Sequence, residues 1–127
     1  MLHAVNHLCA CIALLSLIVV LLKFISRRLG LQALDQRLLG IHRPASHLLI
    51  VCGVIHGVLS FQYVTKYPPL VYLTGGLCLL TLLRICHTCK NQDNKRWLPT
   101  HRFWSALALL LLAAHLVCFV HSHMALH

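Results

Sequence analysis

The sequence predicts an all-α polytopic membrane protein, a four-helix bundle, and three observations lead there. Hydrophobic residues make up 59% of the 127 positions, charged residues only 10%, and the mean hydropathy is +0.80. A soluble domain of this size cannot cover so much apolar surface with so little charge. The apolar residues also gather into four stretches, about 5–22, 46–64, 70–83 and 103–120. Each, with its flanks, is long enough to cross a hydrocarbon core of about 30 Å. Finally, the basic residues collect on one side. Lys23, Arg27, Arg28, Arg37 and Arg43 lie between the first two stretches, and Arg84, Lys90, Lys95, Arg96 and Arg102 between the last two, leaving Lys66 opposite. The positive-inside rule then predicts cytoplasmic basic loops and both termini outside, in a cell (plasma or inner) membrane. The net charge of +9 is accounted for by that distribution and points to anionic headgroups or an acidic partner, not to nucleic acid.

Each element follows in order. Span one, about 5–24, has its charges after the apolar run, which predicts a retained span and not a cleaved signal peptide. From Gly30 to Gly40, Leu31, Leu34, Leu38 and Leu39 share one face, with Gln32, Asp35, Gln36 and Arg37 on the other. This predicts a separate amphipathic helix over about 30–39, lying at the interface and ended by Gly40. Pro44 falls in the first turn of span two, about 44–64. Tyr63, Tyr67 and Tyr72 mark the outer surface, and Pro68-Pro69 makes a tight turn into span three, about 69–88. Trp97 and Trp104 mark the inner surface at the start of span four, about 101–121. The whole of 1–127 reads as one membrane domain.

Four of the eleven histidines form two pairs, His42 with His56 and His101 with His115, each fourteen residues apart on a span. At about 1.5 Å per residue that is roughly 21 Å, just under four turns, so both rings of a pair face nearly the same way. His87 and His101 share the spacing by accident, straddling a polar loop. The two chosen pairs differ in that both begin at the cytoplasmic mouth of a span and both helices point the same way. An imidazole in hydrocarbon is costly without a partner, and the chain's two acids, Asp35 and Asp93, lie in the loops. Two such helices side by side present four imidazoles at two depths, the ligand set for two bis-histidine haems held between helices two and four. Iron satisfies one ring nitrogen, and a backbone carbonyl or serine the other. Arg43 and Arg102 follow the inner ligands, placed to meet haem propionates or simply to serve the positive-inside pattern. His42-Arg-Pro-x-Ser and His101-Arg-Phe-x-Ser repeat at a shift of 59, as two copies of a helical hairpin would.

The other candidates are plainer. Cys86-x-x-Cys89 encloses His87 and is followed by Lys90, so it is not the covalent haem motif and reads as two reduced interfacial thiols. His3, His7, His121, His123 and His127 lie on the outer side, as interfacial histidines or as groups that bind metal, touch a quinone or relay protons. His47 lies off the haem face.

Leu39-Gly-Ile-His42-Arg-Pro, with thirteen residues between His42 and His56, resembles the ferric-reductase-like transmembrane cytochromes. Two ligands on the second helix and two on the fourth also resemble the haem-bearing half of cytochrome b in quinol–cytochrome c reductases. Either resemblance implies His42, His56, His101 and His115 as iron ligands of two stacked b haems. It covers spans two and four, and the rest by topology. Ferric-reductase relatives usually have six spans and often a flavin and nicotinamide domain, and the quinol-oxidising signature of respiratory cytochrome b is missing.

The expected function is transmembrane electron transfer as the haem subunit of a larger redox complex. Its partners would be a flavin, iron–sulfur or haem protein, and menaquinone is a further candidate. No residue set for hydride transfer, nucleophilic attack or hydrolysis is present, so no catalytic residue is expected. The competing readings are a quinone-reactive anchor subunit with one haem, a haem-free metal transporter or assembly factor, and a purely structural anchor.

Overall fold

A computed structural model describes residues 1–90 and 93–125. Its elements are α1 (Leu2–Arg28), α2 (Gln32–Ser60), a 3₁₀ turn at Phe61–Tyr63, α3 (Pro69–Thr88) and α4 (Trp97–Ala125), with no strand among the described residues. The four helices hold 27, 29, 20 and 29 residues. At about 1.5 Å per residue they run from about 30 to about 44 Å, at least the thickness of a bilayer's hydrocarbon core. All four are apolar enough to cross a membrane. The protein is an all-helical, multi-pass membrane protein in its architecture.

The chain divides into two compact units, Met1–Leu59 and Ser60–His127. The first is an antiparallel hairpin of α1 and α2. Its turn is a Schellman cap: Gly30 takes φ +67°, its amide reaches the Arg27 carbonyl, and the Leu31 amide reaches the Ser26 carbonyl at 2.9 Å. Beside this turn Lys23 and Asp35 form an ion pair, and the Ser26 hydroxyl donates to the Lys23 carbonyl at 3.0 Å with the Asp35 carboxylate 3.3 Å away. Ser26 is only 1% exposed.

One boundary differs from the sequence expectation. The interfacial helix expected over 30–39 is not separate, because α2 runs from Gln32 to Ser60 through both Gly40 and Pro44. A glycine in a helix interior costs about 1 kcal/mol against alanine, too little to end a helix with apolar residues on both sides. Pro44 forfeits the amide bond that would reach the Gly40 carbonyl, and Gly40 is exposed, so solvent or headgroups satisfy it. The segment is therefore the first turns of α2.

The second unit is the antiparallel hairpin of α3 and α4. Pro69 opens α3 at a position where its missing amide costs nothing. The Tyr72 hydroxyl donates to the Tyr63 carbonyl at 2.5 Å, and the Tyr67 ring packs 5.5 Å from that of Phe119. Near the other end the Arg84 guanidinium lies 5.9 Å from the Trp104 ring.

Both hairpins bury small and polar side chains and expose large apolar ones. Ser16 is 5% exposed while its neighbour Leu15 is 63%, and Ala108 is 6% exposed while Leu110 is 70%. Water would reverse that pattern. Lipid favours it, because small residues let backbones approach and polar ones bond across the seam. The seams follow heptad spacing. In α2 it passes through Leu38, His42, Ala45, Leu49, Cys52 and His56, and in α4 through Trp97, His101, Trp104, Ala108, Leu111 and His115, all buried or half-buried. The two series match position for position at the shift of 59, so the repeat in the sequence is also a repeat in packing.

Candidate functional site

All four histidines of the two pairs lie on these seam stripes, each against the partner helix of its own hairpin. His115 is the most closely held. Its Nδ1 stands 3.0 Å from the Val71 carbonyl oxygen and 3.4 Å from Thr74 Oγ1. The Thr74 hydroxyl donates back to the carbonyls of Leu70 and Val71, at 2.9 and 3.0 Å. A carbonyl only accepts, so the proton sits on His115 Nδ1 and the lone pair on Nε2. The ring also lies flush against Gly75. A Cβ there would come within 3.0 Å of Cε1 and 3.1 Å of Nδ1, whereas one on Gly76 would meet nothing within 4 Å.

His56 repeats the arrangement more loosely, with Nδ1 3.4 Å from the Asn6 carbonyl on α1. Its partner is again a backbone oxygen, so Nδ1 again carries the proton. One turn along the same seam Cys52 is buried, as is Cys9 on α1. A metal-bound imidazole commonly donates its other N–H to a backbone carbonyl, which fixes ring rotation and raises basicity. His115 and His56 have that arrangement.

His101 and His42 differ. His101 Nδ1 lies 3.4 Å from Cys89 Sγ, and its ring is tilted 54° to that of Trp97 at 6.0 Å. His42 is half-buried, and its carbonyl accepts from the Ser46 hydroxyl at 2.7 Å. Arg43 and Arg102 are both exposed. The Arg43 carbonyl receives His47 Nδ1 at 2.9 Å, which supplies a partner for a histidine that lies off the seam.

The two histidines of a pair sit on one helix, about 21 Å apart along its axis, too far to share one ion. Among the described residues no three His, Cys, Asp or Glu side chains converge to hold a metal. An axially ligated iron asks for two. No disulfide links the seven cysteines.

Sequence reasoning missed the Cys89–His101 contact and the role of α3. The signal for α3 was Thr74-Gly75-Gly76, a small polar break inside an apolar span. At the Tyr67 end of the second unit, Lys66, Tyr67, His121 and Ser122 line an open groove. His127 lies outside the described residues. Comparison of the chain with family models, with curated proteins and with solved structures found no match.

Proposed function

We propose that this chain is a dihaem b-type cytochrome that carries electrons across a membrane as one subunit of a larger redox complex. In this reading His42, His56, His101 and His115 would be the residues that hold the two haems. The observation that carries the reading is the repeated Nδ1-to-carbonyl bond at His115 and His56, which leaves the Nε2 lone pair open to a ligand. The ligand spacing on α2 and α4 and the matching seams support it as well.

When bound, a haem supplies a one-electron ferric–ferrous couple, and the protein supplies its ligands, orientation and surroundings. Val71 and Asn6 lend their carbonyls to hold the outer rings. Cys89 holds the ring of His101, with its sulfur as a weak acceptor. The exposed Arg43 and Arg102 guanidinium groups, next to His42 and His101 in sequence, would be the cations that pair with haem propionates. The basic loops face the cytoplasm and the termini the outside.

A quinone-reactive variant of this reading is favoured by the groove at Lys66, Tyr67, His121 and Ser122, whose mixed donors suit a quinone headgroup. The test is electron flow in sealed vesicles holding dithionite, with ferricyanide outside. Vesicles carrying the wild-type chain are expected to reduce ferricyanide without added quinone. His115→Ala should stop the flow, and flow that appears only on adding menaquinone favours the second reading. Rates equal in wild-type, His115→Ala and protein-free vesicles would overturn both.

A further inference from the structure

On the exposed face of α1, His3 and His7 stand one turn apart with Nε2 atoms 3.2 Å from each other. Their ring centroids are 4.3 Å apart and their planes meet at 59°. The helix is already formed here, since the Val5 amide bonds to the Met1 carbonyl at 3.2 Å. Two imidazole nitrogens bound to one zinc-class cation at about 2.05 Å stand about 2.9 Å apart for a right-angled site and about 3.3 Å apart for a tetrahedral one. The observed separation falls between these. We propose that His3 and His7 form a two-imidazole site for a divalent cation of the zinc class.

α1 is 27 residues long, and counting about 20 residues of hydrocarbon back from Lys23 puts His3 at the membrane surface and His7 one turn inside it, so an ion reaches the pair from the His3 side. Both side chains are exposed. Without metal, one Nε2 donates its proton to the other. Binding moves that proton to Nδ1 of the same ring, so both lone pairs face the ion and no net proton is released. Among the described residues no third His, Cys, Asp or Glu joins the pair. Water completes the coordination, and the affinity is that of a chelating pair, below that of a four-ligand structural site. The site is independent of the haem reading, although the two share a helical turn. Asn6, whose carbonyl faces His56, lies between His3 and His7, so a bound ion clamps the turn that holds that ring.

Zinc titration calorimetry on the full chain in lipid nanodiscs tests this. His7→Ala and His3→Ala are each expected to weaken one Zn²⁺ site by about tenfold or more against the wild type. His7→Cys, which keeps a zinc ligand one turn from His3, should retain it, and His123→Ala should leave it unchanged. Equal zinc binding by wild type and the double variant His3→Ala/His7→Ala would overturn the proposal. So would retention in His7→Ala at wild-type strength.

Discussion

His115 directs its Nδ1 at the carbonyl oxygen of Val71, 3.0 Å away across the seam between α3 and α4. The acceptor has no proton to give, so this contact selects one tautomer of the ring. In haem-free protein labelled with ¹⁵N-histidine, His115 should show a protonated Nδ1 and an unprotonated Nε2. The opposite tautomer would mean that the imidazole is not held ready for iron.

Gly75 makes that placement possible. Gly75→Ala puts a methyl group 3.0 Å from His115 Cε1, and the ring must shift by a few tenths of an ångström. Overpacking of this kind costs about 1–3 kcal/mol, more than the helix propensity gained. Gly76→Ala meets no neighbour and should raise thermal stability slightly, by up to about 1 kcal/mol. In the loaded protein Gly75→Ala should alter the low-spin resonance of one haem and Gly76→Ala of neither. Identical behaviour of the two variants would remove Gly75 from the account.

Cys89 touches the other paired histidine of α4, a proposed haem ligand. Its sulfur lies 3.4 Å from His101 Nδ1, so Cys89→Val takes away that polar contact while Cys89→Ser keeps one. Electron paramagnetic resonance should then show one haem signal displaced in Cys89→Val and largely restored in Cys89→Ser. Displacement of both signals, or of neither, contradicts a local role.

The Lys23–Asp35 pair closes the turn of the first hairpin beside the buried Ser26. Removing one partner strands a charge next to a packed turn, which is worse than removing both. Asp35→Leu should lower the melting temperature of the full chain, and Lys23→Leu/Asp35→Leu should recover part of the loss. A double variant whose loss equals the sum of the Asp35→Leu and Lys23→Leu losses would show that the pair is not coupled.

Much of this architecture is legible in the chain because lipid leaves few alternatives. Apolar runs the length of a bilayer must be helical, and the basic clusters after Leu22 and Leu83 mark their ends. The duplication around His42 and His101 is visible as letters and reappears as matching seams. Gly40 and Pro44 misled, since both are common helix punctuation and neither outweighs the apolar residues flanking them. The partners of the histidines were harder to read. A backbone carbonyl such as that of Val71 has no letter of its own, and nothing in a C-x-x-C marks Cys89 as lying beside a histidine twelve positions on. Those relations arise only when two helices pack in register.

The most direct test of the dihaem assignment is a pyridine haemochrome determination on purified, haem-replete protein, joined to a reduced-minus-oxidised spectrum. Two b haems per chain are expected, falling to about one in His56→Ala or His115→Ala. A colourless wild-type protein, or a haem count unchanged by both substitutions, would contradict it.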